Sequence, residues 1–188
     1  MPDHTARPAQ PRIAPITEFD DELQEILSTA LTHDGKPLNI FGTLAHHPKL
    51  LKRFNLLGGF LLNKGLVPAR ERELVILRVG ANACAEYEFG QHTVIGLECG
   101  LTSDEIGALV RDPASHPWSD ADAALIALAD DLHADDCVSD ATWARLAQTW
   151  SDAQLAELLV VAGFYRLVSG FLNSTGVQLD DGIPGFPS

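Results

Sequence analysis

Between Ser151 and Leu172 the chain reads SDAQLAELLVVAGFYRLVSGFL, a run that is apolar on most sides of a 3.6-residue helix and contains no proline to interrupt it. Ser151 is a natural N-cap. A helix of this kind needs burial, either at the centre of a fold or between subunits, so the rest of the chain is expected to supply helices that cover it.

Such helices are visible upstream. Phe19, Leu23, Ile26, Leu27 and Leu31 repeat at three- and four-residue spacing behind a possible Thr17 cap, until His33-Asp34-Gly35-Lys36-Pro37 breaks the pattern. A short helix is expected around 39–46. A longer one runs from Pro48 to Lys64, ending at Gly65, with Leu50, Leu51, Phe54, Leu57, Phe60 and Leu61 on one side. Pro68 opens the next, PARERELVILRVGANAC, and EYEFGQHTVIGLEC follows with only Gly90 weakening it. Thr102 and Glu105 form a capping-box pattern, Ser119 caps a further segment over 120–135, and 139–149 is amphipathic again. Sustained period-two alternation is missing throughout, so the expected fold class is all-α. Residues 1–16, with four prolines, read as an extended arm, mobile or laid on a partner subunit. Residues 17–178 read as a single helical domain, and 179–188 as an extended tail.

Charge narrows the function. The formal net charge of −13 leaves no basic surface for phosphates, which argues against nucleic acid and anionic membranes and favours a small molecule or a protein partner. No apolar run of eighteen residues and no leader-like start suggest a span or signal peptide, so the cytoplasm is the default expectation. Cys84, Cys99 and Cys137 form no CxxC and no zinc-type cluster, which points to reduced thiols.

Chemistry concentrates in Glu73, Glu88 and His92. Residues four apart on a helix differ by about 40° around the axis, so Glu88 and His92 share a face. A carboxylate beside an imidazole is a proton-transfer pair, and acidic neighbours favour the imidazolium. The same spacing also occurs in ordinary surface pairs. A metal would require a third converging ligand such as His46 or His47, and no HExxH-like pattern provides one, so neither metal nor cofactor is expected. Tyr87 and Phe89, with Phe164, are candidate walls of a substrate pocket. Arg78 could meet a substrate carboxylate or form a structural ion pair, and Tyr165 and Arg166 carry the same two readings. Cys84 is a candidate thiol nucleophile or a small buried hydrophobe, with Glu86 and Glu88 opposing thiolate formation.

The run PARERELVILRVGANACAEYEFGQHTVIGLEC, residues 68–99, resembles the core of the carboxymuconolactone decarboxylase and alkylhydroperoxidase-D family. In that family a glutamate precedes a histidine on the next helix by nineteen residues, the separation of Glu73 and His92. Tyr87-Glu88-Phe89 before His92 resembles the aromatic-acid stretch of its non-redox members. Looser similarity through HPKLLKRF and GFYRLVSGFLNSTGV extends over roughly 40–178. The resemblance implies an AhpD-like helical bundle and an obligate homo-oligomer. It also implies a departure: where the redox branch carries CxxC, this chain has Ala85 and Glu88.

The first function this reading suggests is a cofactor-independent acid-base lyase or isomerase of the carboxymuconolactone decarboxylase type, acting on a small carboxylated lactone or related aromatic-degradation metabolite. His92 is then the proton donor, Glu88 its orienting partner and Glu73 the end of the relay. A thiol-dependent alkylhydroperoxidase built on Cys84 is the second. A non-catalytic helical oligomer that binds a small ligand is the third.

Overall fold

The computed structural model describes residues 6–187. Nine α-helices carry the described fold: α1 (Asp21–Leu27), α2 (Asn39–Leu44), α3 (Pro48–Asn63), α4 (Ala69–Asn82), α5 (Glu86–Glu98), α6 (Ser103–Arg111), α7 (Asp120–Asp135), α8 (Asp140–Leu146) and α9 (Asp152–Thr175). The polar residues expected to cap do so. Ser119 and Ser151 accept from the third residue of α7 and α9, and Thr102 with Glu105 completes a capping box.

The all-α expectation needs one small amendment. Asp34 and Gly35, with φ of 49° and 75°, make a two-residue turn that pairs β1 (Thr32–His33) with β2 (Lys36–Pro37) as an antiparallel ribbon. The first helix is also shorter than its periodicity suggests. Asp20 rather than Thr17 caps it, accepting from Leu23 N at 2.9 Å, so α1 begins at Asp21.

The centre of the fold is α4, whose Leu74, Val75, Ile76 and Leu77 are all fully buried. It packs against α5, α6, α7 and α9. Four consecutive buried side chains point to every side of a helix, so α4 is enclosed all round. The apolar run of α9 is therefore not the innermost element. One side of α9 packs on α4 and α5, while Val160 and Leu167 on another side stay exposed. By length and composition α9 would also suit a membrane crossing, although its inner side forms core. A second apolar cluster joins α1, α2 and α3 to the C-terminal half of α9 through Leu27, Phe41, Leu44, Leu51, Val168 and Leu172.

The described parts of both ends of the chain are attached to this body. In the arm, Arg12 N donates to Thr175 O at 2.7 Å and Ile16 N to Gly42 O at 2.9 Å; residues 1–5 lie outside the described residues. The tail is irregular, as expected, but packed. It crosses α5 at Gly90, where a Cβ would come within 2.2 Å of Pro184 O, so a side chain there would block the approach. Ile183 is buried, and Phe186 stacks at a tilt on Phe89 with ring centroids 5.0 Å apart.

Candidate active site

Helices α4 and α5 fold back on each other through residues 83–85. Cys84 holds a left-handed φ of 47° there, Ala85 N returns to Gly80 O at 2.9 Å, and Arg7 donates to Ala83 O at 2.8 Å. This turn sets the register that brings Glu73 of α4 opposite His92 of α5.

The two meet in the interior. His92 Nδ1 lies 2.5 Å from Glu73 Oε2, and His92 Nε2 lies 3.1 Å from Glu88 Oε1. Glu73 is 0% exposed, Glu88 4% and His92 4%. Arg72 closes the set, with Nε and one terminal nitrogen each 3.0 Å from Glu73 Oε1. An imidazole with a carboxylate oxygen at each nitrogen satisfies both only as the doubly protonated cation. Burial opposes that charge, but the Glu73 and Glu88 carboxylates outweigh it and push the His92 pKa up to about 10. Two carboxylates, a guanidinium and an imidazolium then sum to no net charge, the condition under which ions tolerate burial.

A cavity of about 340 Å³ opens on one side of this cluster, within the size range of small-ligand pockets. Glu88 and His92 line it, together with Tyr87, Gln91, Asn55 and Tyr165. The edge of the Tyr165 ring packs against His92 with centroids 4.8 Å apart. Burial first, and then the charges of Glu88 and Glu73, push the Tyr165 hydroxyl well above its ordinary pKa, so it stays protonated.

One wall comes from the tail. Asp180 accepts from Tyr87 Oη at 2.5 Å, from Gln91 Nε2 at 2.7 Å and from Asn39 N at 2.9 Å, and Ile183 lines the cavity beside them. Burial, followed by the bond to Asp180, pushes the Tyr87 hydroxyl far above its usual value.

Residues 48–131 match the carboxymuconolactone decarboxylase family. This match covers the stretch from α3 to α7, which includes Glu73, Glu88 and His92. No curated protein matches the sequence. Solved structures show where a similar fold recurs. An uncharacterized peroxidase-related protein from Silicibacter sp. TM1040 is similar with a TM-score of 0.80 at 16% identity, over 96% of this chain and 97% of that one. A protein with an alkylhydroperoxidase AhpD core from Ralstonia eutropha JMP134 gives 0.76 at 19%, over 89% and 92%. A variant of the debrominase Bmp8 in complex with 2,3,4-tribromopyrrole gives 0.73 at 13%, over 92% and 95%. At these identities the likeness concerns the fold.

Within this matched stretch and around it, the structure separates the candidate residues. Glu73, Glu88 and His92 converge, and Tyr87 faces the cavity. Phe89 does not: it is fully buried on the other side of α5, between Phe186 and the α4 core, because one residue along a helix turns the side chain by about 100°. Arg78 is not a substrate ligand either. Its Nε donates to Asp130 at 2.6 Å and another nitrogen to Leu109 O at 2.6 Å, which ties α4 to α7 and α6 away from the cavity. Arg166 likewise holds Leu132 O and Asp136. Cys84 sits in the turn outside the cavity lining, and Cys99 caps the far end of the thirteen-residue α5, about 20 Å away along the axis.

Arg72, Asn55, Gln91 and Asp180 were not singled out in the sequence. Asn55 is notable because its buried Nδ2 has no hydrogen-bond partner.

Proposed function

We propose that this cavity is the active site of a cofactor-independent acid-base enzyme of the lyase or isomerase type, acting on a small lactone or related carbonyl compound. The observation that carries the reading is a buried imidazolium held between two carboxylates, with one face of the cluster open to a cavity. The family match over residues 48–131 and the similarity to a debrominase structure support catalysis in general terms.

Decarboxylation of a carboxylated lactone and isomerisation of an unsaturated one share a requirement. Each leaves an electron pair on carbon, delocalised into a carbonyl as an enolate, and each ends with a proton delivered to carbon. His92 carries that proton. Glu88, which touches both His92 and the cavity, receives it from Nε2 and passes it on, or returns it after abstraction from substrate. Glu73 and Arg72 hold the ring from behind, so the proton sits at a fixed place when substrate arrives. The aromatic and aliphatic lining keeps water from competing for it.

The test is turnover of small lactones and unsaturated ketones by the wild type and by His92→Ala and Glu88→Gln, each first verified to be folded. The expected loss is about 100-fold or more, the range for general acid-base groups. Equal rates would remove both residues from the chemistry. Self-association forms part of this reading. Leu56, Leu57 and Phe60 on α3 and Val160 and Leu167 on α9 leave apolar surface suited to a second copy, and a monomer by light scattering would refute that part.

A further inference from the structure

The geometry points to an uncharged substrate, a small ring-bearing carbonyl compound rather than a carboxylated one, an inference that rests on the site proposed above. The lining of the cavity decides this. Its acidic groups are Glu88 and Glu98, and its only other titratable side chains are His33, His92, Tyr87 and Tyr165. None of the thirteen lysines and arginines, all of which fall within the described residues, lines it. The cations nearest in sequence to the catalytic helices are already spent: Arg72 on Glu73, Arg78 on Asp130, and Arg70 on Asp122 and Glu105.

Among the described residues, two histidines face the cavity: His92 has a carboxylate at each nitrogen, and the Nε2 of His33 is held by Asp181 O at 2.8 Å. A substrate carboxylate would have to leave water, find no free positive partner and lie beside Glu88. The net charge of −13 opposes its approach from a distance as well. A neutral molecule meets none of these costs.

The remaining surface suits such a molecule. Leu38, Ile40, Phe41, Phe54, Leu62 and Phe164 give apolar walls at a volume that admits one or two small rings. Asn55 supplies what a carbonyl oxygen needs, a buried amide donor from α3 whose Nδ2 is unpartnered. A lining of apolar walls with few donors, the buried Asn55 amide and the protonated Tyr165 hydroxyl among them, suits an acceptor on an otherwise apolar ligand, because only such an acceptor satisfies them. Between the two reactions considered above, isomerisation by proton removal and return fits this substrate. Loss of carbon dioxide does not, because it requires a carboxylate to break from.

The experiment compares a butenolide carrying a carboxymethyl group with the methyl ester of the same compound, at neutral pH and low salt. Binding to the wild-type protein is followed by NMR through the side-chain amides of Asn55 and Gln91. The ester is expected to bind at least about tenfold more tightly, equivalent to about 1.4 kcal/mol. Glu88→Gln is expected to narrow the gap by improving carboxylate binding, and Asn55→Leu to weaken the ester about tenfold, as loss of a paired donor does. A carboxylate that binds as tightly as the ester, or failure of both to perturb these amides, would overturn the inference. Because binding is read without turnover, an ester that binds preferentially but is not converted leaves the inference standing and removes the proposed chemistry. A carboxylated lactone turned over in a His92-dependent reaction does the reverse.

Discussion

The Nδ1 atom of His92 lies 2.5 Å from Glu73 Oε2, although nineteen residues and the turn between two helices separate them in sequence. With Nε2 held by Glu88, the ring is fixed at both ends. The position and charge of the imidazolium are therefore set by the fold itself.

Removing one end of this arrangement leaves a buried charge without its partner. Glu73→Gln should destabilise the protein by about 3–5 kcal/mol in urea unfolding, since Arg72 and His92 both lose their counter-charge. Glu98→Gln, at the exposed rim, is the control and should stay within about 0.5 kcal/mol. Similar midpoints for the two variants would show that the interior cluster contributes little.

The same ion set makes stability depend on pH in a definite direction. An unfolded histidine titrates near 6.5, whereas the folded His92 value is raised to about 10. A raised value means that the folded state holds its proton more tightly, so the stabilisation is complete below about pH 6.5 and is lost as the pH rises through about 10. Melting temperatures of wild type and His92→Gln should converge over that window. Curves that stay parallel would contradict it.

Asp180 is expected to govern access to the cavity through the tail. Asp180→Ala removes the acceptor for Asn39 N, Tyr87 and Gln91, so the Asn39 amide and the tail should exchange hydrogen at least about tenfold faster, with α4 unaffected. Uniform exchange across α4 and the tail would instead mean that the whole fold is weakened.

Cys84 should be dispensable. It stands in the α4–α5 turn outside the cavity, with Cys99 at the opposite end of α5. Cys84→Ser is therefore expected to leave turnover within twofold, about 0.4 kcal/mol, of wild type. Hydroperoxide consumption that disappears in this variant would restore the thiol reading.

Much of this arrangement was legible in the chain. Caps at Ser119, Thr102 and Ser151 are local hydrogen bonds, and the Glu88–His92 pair follows from helical periodicity, so both are written within a few residues. The contact between Glu73 and His92 came from resemblance, since spacing alone does not say how two helices dock. Other features depend on distant partners. Asp180 reaches Tyr87 across 93 residues, and the sole local trace of that approach is Gly90, which looks like a weak point in α5 and is instead where the tail lies against it. Phe89 was misplaced, and the two readings of Arg78 stayed open, for the same reason: their environment is set by Phe186 and by α7, which no window around them contains. The apolar length of α9 suggested either the centre of the fold or a subunit interface, and α4, shorter and charged at its start, is the more completely enclosed helix. The Asp34-Gly35 dipeptide is a hairpin signal, but its flanking strands, at two residues each, are too short to show alternation.

The most direct measurement is the ¹⁵N NMR spectrum of the His92 side chain from neutral pH to about pH 10. Carboxylates at both ring nitrogens predict a doubly protonated ring at neutrality that gives up its proton only near pH 10. A neutral ring with a single tautomer at neutral pH, titrating near the ordinary histidine value, would contradict the account.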